Sequence, residues 1–179
     1  MTDDAGSKTI TEREVNEAQQ AWCDGLVEIC RAYSEGGNYR SLAEKFIDDL
    51  YDFQDGRVFF RPTLANPPRN FRTTRAGALA YFIGEDPNFP DDEGFIKKGW
   101  VSAKYDNAIE GSHAIQIHGN IAMTMGNVYL SKEVATGGDT EVVVDKVFAY
   151  RKDHEGKLRL IVHKSAVTNK PAGEPQTPC

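Results

Sequence analysis

Apolar residues first recur at helical spacing and later alternate, and the change falls near residue 100. Thr11-Glu12-Arg13-Glu14 has the form of a capping box, and Val15, Ala18, Trp22, Leu26, Ile29 and Tyr33 follow it three and four residues apart. That spacing builds one face of a long amphipathic helix. Gly36-Gly37 is expected to stop it, and Asn38 or Ser41 to cap a second helix whose apolar face is Leu42, Phe46, Ile47 and Leu50. Asp55-Gly56 is a turn signal, residues 57–61 read as a short strand ended by Pro62, and a third helix runs from Thr73 or Thr74 to Gly84. Residues 85–99, acidic and with two prolines, read as a loop. Strands then follow one another at 100–107, 114–117, 121–132 and 141–167, with turns at His118-Gly119-Asn120 and Gly137-Gly138-Asp139.

The last of these segments is a hairpin: two Val-, Leu- and Ile-rich runs flank Asp153-His154-Glu155-Gly156. Alternation puts Arg159, Ile161, His163, Ser165 and Val167 on one face and Leu158, Leu160, Val162, Lys164 and Ala166 on the other. Both faces are mostly apolar, so each needs a cover, helices on one side and another sheet or subunit on the other. Helices first and antiparallel strands last predict an α+β fold, with three N-terminal helices packed on a curved antiparallel sheet and a pocket between them. Residues 1–10 are expected to be disordered, 11–168 to form one cone-shaped domain and 169–179 a flexible tail.

Composition narrows the function more than the fold. At 179 residues and a formal charge of −6, the chain lacks the basic stripe of a nucleic-acid or anionic-membrane surface. Its apolar runs fall well short of the roughly 20 residues of a membrane span, and its acidic start has no secretory pattern, so a cytoplasmic location is expected. Cys23, Cys30 and Cys179 show no Cys-x-x-Cys spacing and read as small hydrophobes or incidental thiols.

Five arginines (57, 61, 69, 72, 75) occur between 57 and 75 without an acid. They form either a field that draws a small anion or a solvated patch. His113, His118, His154 and His163 have no metal-binding spacing, and no nucleophile elbow, Walker loop or dinucleotide fingerprint is present. Asp145, inside Val142-Val143-Val144-Asp145-Lys146-Val147, needs a partner, which favours a structural ion pair over a general base. His163 and Ser165, polar neighbours on an apolar face, are the sharpest pair, either as a site or as a hydrogen-bonded structural element.

Phe60-Arg61-Pro62-Thr63-Leu64-Ala65, Gly77-Ala78-Leu79-Ala80-Tyr81-Phe82, Asn88-Phe89-Pro90-Asp91-Asp92-Glu93-Gly94-Phe95, Met125-Gly126-Asn127-Val128-Tyr129 and Gly156-Lys157-Leu158-Arg159-Leu160 resemble the iota class of carbonic anhydrases. The similarity runs from about residue 12 to about 170. It implies a nuclear-transport-factor-2-like cone, related to the calcium/calmodulin-dependent kinase II association domain, that forms a homodimer through its sheet. It further implies reversible hydration of carbon dioxide to bicarbonate without a metal or other cofactor, although some members are linked to manganese. Carried over by position, the family's pocket hydroxyls fall on Thr63, Tyr81 and Ser165. His163 is the candidate base, the one group in the closing motif with a suitable intrinsic pKa.

That motif departs from the family's His-His-Ser-Ser, reading His163-Lys164-Ser165-Ala166. If the pocket is on the face of His163 and Ser165, the changed positions lie outside; if on the other, the site is lost. Two further readings follow from the residues: a non-catalytic module that binds a small anion or assembles as a dimer, and an isomerase or dehydratase using Asp145 and His163.

Overall fold

A computed structural model describes residues 9–109, 112–133 and 139–168. The turn expected at 137–138 and the tail beyond 168 lie outside these residues, as does the N-terminal stretch up to residue 8. Helix α1, Glu12–Ser34, begins at the foreseen capping box: the Thr11 hydroxyl accepts from the Glu14 amide, and the Glu14 carboxylate accepts from the Thr11 amide at 2.8 Å. Asn38 caps α2, Tyr39–Leu50, and Thr74 caps α3, Arg75–Ile83, which ends at Gly84 in a positive-φ conformation that suits glycine.

Strands β1 (Phe59–Arg61), β2 (Ser102–Asp106), β5 (Ile115–His118), β6 (Ile121–Glu133), β7 (Asp139–Lys152) and β8 (Leu158–Val167) make one sheet. It is ordered β1-β8-β7-β6-β2, and β5 also pairs with β6. A small ribbon of β3 (Ala108–Ile109) and β4 (Ser112–His113) stands beside it. The helices cover one face, where Trp22, Phe46, Phe60, Phe82 and Phe148 form the middle of the core. Residues with that much buried aromatic area dominate packing energy.

Four expectations change. The sheet is not purely antiparallel, because β1 runs parallel to β8, Phe60 facing His163 across the pair. Part of the 85–99 loop is a 3-10 turn, Phe95–Lys98. Residues 9 and 10 are held in place: Ile10 is buried, its amide donates to the Gly119 carbonyl, and Lys152 Nζ donates to Thr9 O. Finally, the alternation along β8 breaks once. Ala149 pairs with Val162 but Tyr150 pairs with Leu160, so Ile161 is an extra residue, a β-bulge. Leu160 therefore joins His163 and Ser165 on the buried face, and Ile161 does not share it with them as strict alternation predicts.

Past the bulge the two faces are cleanly divided. Phe60, His163, Phe148 and Thr124 stand in one inward row across β1, β8, β7 and β6, and Ser165, Lys146 and Gly126 in the next. Phe59, Val162, Ala149 and Met123 form the corresponding outward row. Lys164 and Ala166 also face outward, and Lys164 Nζ pairs with Asp145 at 2.7 Å, the structural ion pair expected for that acid.

Candidate active site

A narrow hollow opens between α1, α3 and the inner face of the sheet, lined among others by Thr63, Tyr81, Lys146, His163 and Ser165. Each strand places its side chain by register. Ser165 sits directly opposite Lys146, and His163 opposite Phe148 on one side and Phe60 on the other. Thr63 follows β1 after the Pro62 break, and Arg61 fixes that turn by donating to the carbonyls of Pro62, Thr63 and Ser165. The result is a contact between residues 102 positions apart: Thr63 Oγ1 and Ser165 Oγ are 2.6 Å apart. Tyr81, in the second half of α3, presents its hydroxyl to the same hollow. That hydroxyl makes no hydrogen bond among the described residues. Burial dominates its acidity and raises its pKa, opposed by the Leu64 backbone and the Thr63 hydroxyl nearby, so it stays protonated and can donate.

Behind the hydroxyls lies a chain of hydrogen bonds. Trp22 Nε1 donates to the Tyr51 hydroxyl at 2.9 Å, which is 3.0 Å from His163 Nδ1. His163 Nε2 is 3.0 Å from Lys146 Nζ, which donates to Ser165 Oγ at 3.1 Å. His163 is 2% exposed and stacked on Phe60 at 4.4 Å. Burial, with the Lys146 charge adding to it, holds its pKa well below the usual histidine range, so it is neutral at physiological pH. Lys146, 2% exposed and 4.4 Å over the Trp22 ring, has no carboxylate partner among the described residues. Desolvation brings its pKa down to about 7.

Thr63, Tyr81, Ser165 and His163 thus meet in one place, three of them at the hollow and His163 in its wall with both ring nitrogens engaged. Lys146 is the member that reading the sequence missed. The signal was present: alternation along 142–150 puts Lys146 with Val144, Phe148 and Tyr150 on the inward face, while Asp145, the charge singled out there, points away. Trp22 and Tyr51 carried no sequence signal beyond that of core aromatics.

The other candidates fall away. Among the five arginines, Arg72 is buried against Asp92, Arg75 pairs with Asp48, Arg69 donates to the Asn88 carbonyl and Arg61 is the clamp described above. These four are taken up in contacts within the protein and form no open anion field; Arg57 is exposed. Cys23 and Cys30 are buried free thiols whose pKa values burial pushes up to about 12 and about 11, so they behave as small hydrophobes. No cluster of three or more His, Cys, Asp or Glu side chains suited to a metal occurs among the described residues.

The fold is the nuclear-transport-factor-2-like cone. It superposes on such a protein from Novosphingobium aromaticivorans with a TM-score of 0.57 at 14% identity, covering 89% of this chain and 83% of that one. A calcium/calmodulin-dependent kinase II association domain from Xanthomonas campestris gives 0.54 at 19% identity, covering 90% and 91%. Within that class the family is defined more narrowly: the chain belongs to the metal-independent carbonic anhydrases, whose family model matches residues 13–167. A metal-independent carbonic anhydrase of Nostoc sp. (strain PCC 7120) is 47% identical over 163 residues, 90% of this chain and 75% of the relative. The crystal structure of a cyanobacterial iota-carbonic anhydrase complexed with bicarbonate superposes with a TM-score of 0.83 at 45% identity, covering 96% of this chain and all of that one.

Proposed function

We propose that the chain hydrates carbon dioxide reversibly to bicarbonate in this hollow, with the hydroxyls of Thr63, Tyr81 and Ser165 holding the reacting oxygens. The observation that carries the reading is the 2.6 Å contact between Thr63 and Ser165 beside the unpartnered, buried Tyr81 hydroxyl. As bicarbonate forms, negative charge grows on its oxygens. Donors already fixed in a low-dielectric cavity stabilise that charge without reorganising, and they orient water against the carbon. The departures at Lys164 and Ala166 are on the outer face, where they leave this arrangement intact. His163 serves by position, since its two nitrogens are committed to Tyr51 and Lys146. Its face supports the enzyme over the non-catalytic module. Asp145, paired outside the hollow, has no place in an acid–base pair with His163.

The test is stopped-flow hydration by the purified, chelated protein. Wild type should be active, and Tyr81→Phe should lower kcat by about 10²-fold or more, the scale of one lost oxyanion donor. A chelated wild type with no rate above the uncatalysed reaction removes the reading.

The outer face of the sheet we assign to a second copy of the chain. Its row of Phe59, Val162, Ala149 and Met123 continues to Met125, and Phe59 and Met125 are more than half exposed, an apolar surface of the kind that marks interaction sites. Light scattering should give twice the chain mass, and Met125→Glu should halve it; a wild type of single-chain mass contradicts the assignment.

A further inference from the structure

Hydration releases a proton, and a site of neutral hydroxyls supplies no acceptor for it. The buried chain behind Ser165 offers one, 3.1 Å from its hydroxyl. Lys146 Nζ is within 3.0 Å of His163 Nε2, and His163 Nδ1 within 3.0 Å of the Tyr51 hydroxyl, whose oxygen already accepts from Trp22. A neutral histidine carries one ring proton. With that proton on Nε2, it points at Lys146, which must then be a free amine to accept it. With the proton on Nδ1, Nε2 accepts from Lys146, and the lysine is either amine or ammonium. The amine fits both tautomers, the ammonium only one.

We propose that Lys146, held as the free amine, is the base that receives the proton released when carbon dioxide is hydrated, passed to it through the Ser165 hydroxyl. This rests on the hydration reading above. With the proton on Nδ1, Nε2 accepts from the amine, whose lone pair can then accept the Ser165 O–H across the same 3.1 Å, the reverse of the direction in which an ammonium donates. In the step, a water oxygen bonds to the carbon of carbon dioxide while one water proton moves to Ser165 Oγ and the serine's own proton moves to Lys146 Nζ. The products are bicarbonate and a lysine ammonium, which afterwards loses its proton to a buffer base from solvent.

The surroundings suit an amine that cycles. From α1, the Trp22 ring lies 4.4 Å from Nζ and stabilises the transient cation, while the Cys23 thiol stays protonated. From β8 come His163 and Ser165, both neutral; from β2, the Tyr105 hydroxyl lies 3.3 Å from Thr124 Oγ1 and touches Lys146 at its carbonyl, at 3.5 Å, and not at its amine. Asp145, on the same strand, faces the other way and is taken by Lys164. Among the described residues no carboxylate lines the hollow to lock the lysine as an ammonium. Burial supplies the rest, bringing its pKa to about 7, near the working pH that a general base needs.

The experiment is carbon dioxide hydration by the full chain between pH 6 and 9, alongside bicarbonate binding by calorimetry. Because the amine is the working form, wild-type kcat/KM should rise with pH through an ionisation near 7. Lys146→Met should lower kcat by about 10²- to 10⁴-fold and abolish that ionisation while keeping bicarbonate affinity. Should that variant not fold, NMR titration of the lysine Cε signals of wild type decides: a buried lysine titrating near 7 supports the proposal, and one still charged at pH 9 overturns it. A folded Lys146→Met with wild-type rates overturns it too, as does loss of activity that follows loss of bicarbonate affinity. An inactive wild type would instead sink the hydration reading.

Discussion

Ser165→Ala is expected to lower the hydration rate by about 10²- to 10³-fold, as the loss of one preorganised donor does elsewhere, and by more if the proton passes through this hydroxyl. The substitution removes one oxygen and no carbon framework from a residue 1% exposed, so the strand pairing with Lys146 is kept. The Thr63 hydroxyl loses its 2.6 Å partner and Lys146 keeps His163 alone, and a buried polar group left without a partner costs about 1–3 kcal/mol. Stability should fall by that order while the rate falls further. Measuring both on one sample, hydration by stopped flow and unfolding by denaturant, separates the effects. A variant within twofold of wild-type rate would mean that this oxygen takes no part in turnover.

Asp92→Ala is expected to be the most damaging single change to stability. The Arg72 guanidinium donates to both Asp92 oxygens, at 2.7 and 2.9 Å, with side-chain exposures of 3% and 6%. Removing one partner leaves a buried charge uncompensated, about 3–5 kcal/mol. At about 2–4 °C per kcal/mol for a chain of this size, the thermal midpoint should drop by roughly 6–20 °C. The pair also bears on the site: Arg72 lies 4.6 Å over the Phe89 ring, and its amide donates to the Phe60 carbonyl beside the hollow. Asp92 lines a recess of about 230 Å³ that shares Tyr81 and Phe95 with the hollow, so activity should fall as well. Calorimetry of the two proteins checks the prediction, and a shift under 2 °C would show that water reaches the pair.

What the sequence disclosed, it disclosed through local rules. Capping at Thr11, Asn38 and Thr74 and the glycine stop at Gly84 set the helices within a residue or two, because such signals act over a single turn. Alternation placed His163 and Ser165 on one face and Lys164 and Ala166 on the other. The parallel pairing of β1 with β8 left no such trace: a strand of three residues carries no signal of its partner's direction. Nor does local chemistry join Thr63 to Ser165; the resemblance pairs them, and in the fold they stand 2.6 Å apart. In β7 the charge that stands out in the apolar run is Asp145, and it masks its inward-facing neighbour Lys146. A lysine stem packs well in apolar surroundings, and burial marks the amine as unusual only once the cover is known.

The extra residue in β8 has a meaning for how this chain tolerates change in length. Between the loop at 153–157 and the motif at 163–165 one odd residue is already absorbed as a bulge, with the imidazole and the serine still enclosed; only a change that slipped the pairing by one step would turn them outward and bring Val162 and Lys164 into the cone. Removing Ile161 alone would leave Leu160 opposite Tyr150, Val162 opposite Ala149 and His163 opposite Phe148, a regular ribbon with the same residues inside. The bulge thus uncouples the length of this short segment from the enclosure of the chemistry beyond it.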